Sequence, residues 1–147
     1  MNRLSWTALF AALVLAVGHA QHADTHGGHT AIQPDAIRWG TMGPGGLATA
    51  IVEGDPTKAG PFTMMLKLRD GGWIQPHFHN VDKRLVVIQG ELLMGHGDVI
   101  DAGTTVALKA GGVAVMPAGQ HHYEGGRGET IVALIANGPF TTTMVKK

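Results

Sequence analysis

The 147-residue chain has no cysteine, a single tyrosine, and charged side chains at only 15% of its positions. Without cysteine there are no disulfides, no thiolate metal site and no cysteine nucleophile, so stability rests on packing and the metal ligands on offer are imidazole and carboxylate. Eleven lysines and arginines are balanced by eleven aspartates and glutamates. The chain therefore lacks the basic surface that nucleic acid or an anionic membrane requires, and both partners are excluded. It also lacks helix-length apolar periodicity and any repeat of fixed period. What it does have is one domain's length of chain, an apolar fraction of 44%, 22 glycines and nine histidines, which is enough for a core of its own.

Three segments are expected. Residues 1–20 read as an export signal: a basic start at Met1-Asn2-Arg3, an apolar run from Leu4 to Val17, and small residues at Gly18-His19-Ala20, with cleavage after Ala20. The apolar run is about 14 residues, short of the roughly 20 that span a bilayer, so no stable membrane span is expected after processing. The processed chain loses only Arg3 among its charges and is exported to the periplasm or the medium. Residues 21–35 are polar and aperiodic and read as a flexible, histidine-bearing arm, with His22, His26 and His29 as weak metal binders at most. Residues 36–147 form the domain.

From Ile37 onward, short apolar runs alternate with glycine and proline turn signals such as Gly54-Asp55-Pro56, Ala110-Gly111-Gly112 and Gly125-Gly126. This punctuation predicts an all-β fold, a sandwich or barrel. Ten strands are expected, over 49–53, 62–68, 74–79, 85–89, 91–94, 104–108, 113–116, 121–124, 130–136 and 140–145. Alternation nominates Phe62, Phe78, Leu85, Val87, Val115, Ile131 and Leu134 for the core.

The chemistry concentrates in Gly71-Gly72-Trp73-Ile74-Gln75-Pro76-His77-Phe78-His79 and in Pro117-Ala118-Gly119-Gln120-His121-His122. On a strand His77 and His79 share a face, about 6 to 7 Å apart, while Phe78 points away. Two imidazoles on one wall make half a metal site, and His121 or His122 would supply the third nitrogen. The other histidines have plainer readings, His96 as part of a hairpin loop and His121, if His122 is the ligand, as a rim residue.

Two motifs in register over roughly residues 71–126 resemble those of the cupin superfamily. Gly71, His77, His79 and Gly90 stand at the spacings of its first motif, and Gly111, Pro117, Gly119 and His122 at those of its second. The turn near Gly54 and the Gly-Pro-Phe ending at Phe140 are similar to a group of small exported bacterial cupins without an assigned function. The resemblance implies a double-stranded β-helix, or jelly-roll barrel, with one divalent metal ion (Zn, Fe, Mn, Ni or Cu) on His77, His79 and His122.

The chain departs from the family pattern at two positions. Lys83 stands where the family has a glutamate ligand, and Gly126 where it has an optional asparagine. A protonated ammonium has no lone pair for a metal and is repelled by it. Three arrangements accommodate Lys83: a site of three histidines alone, a bulge that turns Asp82 inward as the carboxylate, or a vestigial site in which Lys83 pairs with an anionic ligand or with Glu124.

The expected function is a mononuclear metal-binding cupin, a dioxygenase or a metal-assisted isomerase or hydrolase acting on a small molecule. In that reading Lys83, Arg84 and Gln75 bind substrate, and Tyr123 or Glu124 moves a proton. Two alternatives stand beside it: a non-catalytic metal or small-ligand sensor, and a metal-free jelly-roll binding module. Unpaired edge strands favour a homodimer.

Overall fold

The computed structural model describes residues 24–26 and 28–146. The expected export signal lies outside them. Among the described residues there is no α-helix, only two 3-10 turns at Pro34–Ala36 and Ala102–Thr104.

Ten antiparallel strands carry the fold: β1 (Asp24–His26), β2 (His29–Ala31), β3 (Leu47–Glu53), β4 (Gly60–Leu68), β5 (Trp73–His79), β6 (Lys83–His96), β7 (Val106–Lys109), β8 (Val113–Met116), β9 (His122–Gly138) and β10 (Thr142–Met144). Within the span read as an arm, β1 and β2 pair as a small hairpin separate from the main sheet. The tally of ten agrees with expectation, but its make-up differs. Two pairs of expected short strands are in fact the single long strands β6 and β9, and the hairpin makes up the number.

Both long strands pass straight through glycines that read as turn signals. Gly90 sits at φ +73°, beside register shifts between Val87 and Glu91. A β-carbon there would meet the Glu129 carbonyl and Thr130, so a glycine bulge bends β6 without ending it. Gly125 and Gly126 serve close approach: added β-carbons would fall 2.8 Å from the Trp73 ring and 3.1 Å from the Arg69 carbonyl oxygen.

These bends let β6 and β9 belong to two walls. The first half of β6 and the second half of β9 lie in one wall, running β8, β6, β9, β4, β3. The second half of β6 and the first half of β9 lie in the other, running β7, β6, β9, β5, β10. The core between the walls is built from Phe62, Leu66 and Leu68 of β4, Leu85, Val87, Leu92 and Met94 of β6, and Val132, Leu134 and Ala136 of β9.

Three of the nominated core residues are placed otherwise. Val115 is 65% exposed, because β8 turns Ala114 and Met116 inward and leaves the valines outside. Ile131 is half-buried on the outer face, and Phe78 is half-buried, stacked on His121 with ring centroids 4.9 Å apart.

Gly95 marks another tight contact. A β-carbon there would overlap the buried Tyr123 ring. Gly95→Ala is expected to destabilise the fold by about 1–3 kcal/mol through overpacking, read as a lowered urea midpoint, whereas Gly97→Ala, which meets no atom within 4 Å, lacks this steric cost and pays only for its positive φ.

Candidate metal centre

His77 and His79 share a face of β5, and His122 opens β9 directly opposite His77 in the ladder. The second motif is tied to the first by two of its backbone N–H groups, one bonded to a carbonyl and one to a carboxylate. The Gly119 N–H donates to the His79 carbonyl at 2.8 Å, and the Ala118 N–H donates to Asp82 Oδ1 at 2.8 Å. All three imidazoles are buried, with ring centroids 4.2 to 5.3 Å apart. One nitrogen from each lies within 4.8 Å of the other two.

The tautomers follow from the partners. Nδ1 of His77 faces the Gln75 carbonyl at 2.7 Å, Nδ1 of His122 the Gln120 carbonyl at 2.8 Å, and Nδ1 of His79 the Thr141 carbonyl at 3.2 Å. A carbonyl only accepts, so each Nδ1 carries the proton, the Thr142 hydroxyl at 3.2 Å accepting from His79 alongside the carbonyl, and each Nε2 presents a bare lone pair. Burial holds all three rings neutral, and Lys83 works in the same direction. The His79 pKa is pulled down to about 3 and that of His122 to about 4, while His77 is lowered against the opposing pull of Glu124.

Glu124 follows His122 by two residues and so lies on the same face of β9. It is fully buried. Burial is the largest single influence and would raise its pKa, but the Lys83 ammonium, its hydrogen bond and the neighbouring His122 and His77 rings together outweigh it and hold the carboxyl at about 2. Lys83 reaches across from the facing wall, 1% exposed, and its Nζ donates to Glu124 Oε1 at 2.7 Å. The other oxygen, Oε2, is 3.6 Å from His77 Nε2, and Oε1 is 3.6 Å from His122 Nε2. With the rings neutral these are facing lone pairs, not ion pairs.

His79 Nε2, His122 Nε2 and Glu124 Oε2 are buried without a hydrogen-bond partner among the described residues. Such orphaned acceptors are costly unless a cation joins them. The 3.6 Å edges to Glu124 and the ring nitrogens within 4.8 Å of one another are somewhat wider than the roughly 3.3–3.4 Å between ligand atoms of a tetrahedral site with bonds of about 2.0–2.1 Å, a gap that small ring movements close around an ion. The residues present therefore fit a divalent ion.

Other expected participants are placed away from this point. Arg84 is exposed on the outer face, since pleating turns it opposite to Lys83 and away from the triad. The Gln75 side chain is exposed, and its contribution is the backbone carbonyl that orients His77. Tyr123 alternates away from His122 and Glu124; its hydroxyl donates to the Asp101 carbonyl and accepts from the Asp101 N–H, both at 3.0 Å. That role is structural and leaves no free phenol for proton transfer. Asp82 is exposed and caps the turn at Ala118, so no bulge brings it inward. His121 pairs with Asp98 at 2.6 Å on the rim, and His96 Nδ1 accepts from the Gln120 side-chain amide at 3.2 Å.

A groove of about 1090 Å³ lies elsewhere, between the arm and the outer sheet face, lined among others by Ile32, Trp39, Met65, Lys67 and Ile131. Strand alternation points Met65, Lys67 and Ile131 away from the barrel interior, so this groove is not the mouth of the histidine site.

Residues 43–143, which contain both motifs and every residue of the site, match the family model described as a domain of unknown function (DUF4437). The chain belongs to this family. Among solved structures, this DUF4437 domain is similar to a cupin superfamily protein from Desulfitobacterium hafniense (16% identity, TM-score 0.52, 62% of this chain and 76% of that one). It is also similar to KdgF from Halomonas sp. (20%, 0.57, 71% and 91%) and to the polyketide cyclase RemF from Streptomyces resistomycificus (17%, 0.62, 80% and 87%). These likenesses establish the fold of the DUF4437 domain as the cupin barrel. No curated protein matches the sequence.

The neutral rings carry a pH consequence. In the unfolded chain each histidine titrates near 6.5, whereas in the folded state His79 and His122 do so near 3 and 4. Between those values the unfolded state binds more protons, so the stability from these rings is complete above about pH 6.5 and is lost as pH falls towards 4. Chelator-treated protein should show a lower urea midpoint at pH 5 than at pH 7.5. A flat profile would mean that the rings are protonated in the folded state.

Proposed function

We propose that this protein is an exported mononuclear metal-binding cupin that holds one divalent ion on His77, His79 and His122 and acts on a small molecule. The observation that carries this reading is the convergence of three buried, neutral imidazoles whose Nε2 atoms face one another while their Nδ1–H groups are committed to backbone carbonyls. A metal so held supplies a Lewis acid that polarises a ligand oxygen or acidifies water, and, if it is iron or copper, a centre for dioxygen chemistry. Around it the chain fixes ring orientation through Gln75, Gln120 and Thr141, packs Phe140 4.4 Å over His79, and holds the buried Lys83 ammonium against Glu124. Two similar structures, described as an oxalate oxidase and as a polyketide cyclase, support an enzymatic reading.

The near-complete burial of the rings, 1–5% exposed, favours a second reading, a non-catalytic sensor that holds its ion shut away from solvent. Export rests on the signal-like first twenty residues. A homodimer is supported by Ile88, Val113, Val115 and Ile135, which are exposed on the outer face of β6, β8 and β9.

Equilibrium dialysis of untagged protein beginning at Gln21 against zinc, manganese, cobalt or iron(II) tests the proposal. About one tightly held ion per chain, released by chelator, is expected. Oxygen uptake with chelating carboxylate substrates under iron then separates an oxygen-using catalyst from a sensor.

A further inference from the structure

We propose that the carboxylate of this centre is Glu124, delivered by β9, and that Lys83, at the motif position of the family's glutamate, is the positioning residue that aims it. This rests on the metal-binding reading above and adds a fourth ligand to it. Glu124 is 1% exposed and shares the face of His122. Of its two oxygens, Oε1 accepts from Lys83 Nζ at 2.7 Å, while Oε2 is unpartnered and 3.6 Å from His77 Nε2. The ammonium therefore fixes the rotamer by occupying one oxygen and leaves the other directed at the imidazoles.

The side chains come from opposite walls, Lys83 from the first residue of β6 and Glu124 from the third residue of β9. The carboxylate thus comes from the wall opposite to that of residue 83, where a cation stands. With three neutral rings and a Lys83–Glu124 pair of zero net charge, a bound divalent ion keeps its full double charge. A centre with a glutamate and no lysine would keep only one unit.

Two substitutions test this by cobalt(II) titration, followed by the visible spectrum and by thermal unfolding with and without the ion. Glu124→Gln keeps size and lets the amide oxygen still accept from Lys83, but turns an N–H₂ toward His77. It should unfold below the wild-type temperature without metal, because the buried Lys83 ammonium loses its counter-charge, and, where folded, bind cobalt at least about tenfold to a hundredfold more weakly, the range that even orienting partners reach. Lys83→Met strips the carboxylate of its cation. Cobalt should then stabilise this variant by a larger shift in Tm than the wild type, because the ion replaces the missing ammonium.

If the wild type binds cobalt and Glu124→Gln binds it equally well, or if the Lys83→Met shift only equals that of the wild type, Glu124 is no ligand and the inference fails while the histidine site stands. If the wild type itself binds no ion, the histidine reading has failed first.

Discussion

His77→Ala is expected to reduce bound metal from about one ion per chain to well under a tenth of an equivalent in the same dialysis, the largest effect on binding that any single substitution should produce. His77 is the hub of the site. Its ring is the closest to that of His122, at 4.2 Å between centroids, and its Nε2 faces the free oxygen of Glu124. Removing it leaves two imidazoles on different strands and opens a cavity that water fills. His121→Ala is the matched control, since that ring sits on the other side of β9 against Phe78 and Asp98. It should leave stoichiometry and affinity unchanged. Equal loss in both variants would place the ion on the rim.

The largest effect on stability is expected at Lys83. With metal removed, Lys83→Met leaves Glu124 fully buried without its cation, so the carboxyl must either carry an uncompensated charge or take up a proton, a defect that costs about 3–5 kcal/mol. In a domain of this size the thermal midpoint should drop by roughly 10 °C or more. Lys83→Met combined with Glu124→Leu removes both charges and should recover most of the loss, or even exceed the wild type by about 1–4 kcal/mol, because a buried pair is often no more stabilising than apolar residues of similar volume. The double-mutant cycle in chelator thus reports the coupling directly. Additive single effects would show that the 2.7 Å contact contributes no stability. Metal-free measurement is essential, since an ion would mask the missing ammonium.

Much of this site can be read along the chain, because ligand strands write their geometry locally. His77 and His79 share a face by alternation alone, and the spacing from Gly111 to His122 positions a Pro-Ala-Gly turn whose glycine amide bonds back to His79. The Lys83–Glu124 pair is a different kind of fact. Its partners are 41 residues apart and on opposite walls, so only the closed barrel brings them together. Even so, Glu124 at two residues from His122 already announces a carboxylate on the ligand face.

What the sequence obscures are the places where one residue type serves two purposes. Glycine signals turns, yet Gly90 and Gly125 lie within continuous strands, one to bend the strand and one to admit the Trp73 ring. Valine signals burial, yet β8 presents its valines outward, and a pattern of period two does not reveal which phase faces the core. Tyr123 sits beside a ligand in sequence but on the reverse of its strand, where a hydroxyl is needed to satisfy the Asp101 backbone.

Histidines in the arm, His29 among them and exposed, make stoichiometry alone insufficient to locate an ion. Anomalous diffraction from crystals of the cobalt-loaded protein, collected at the metal's absorption edge, addresses location directly. The account predicts one strong peak bounded by the Nε2 atoms of His77, His79 and His122 with Glu124 Oε2 alongside. A peak at the arm or the rim, with the interior empty at full loading, would contradict it.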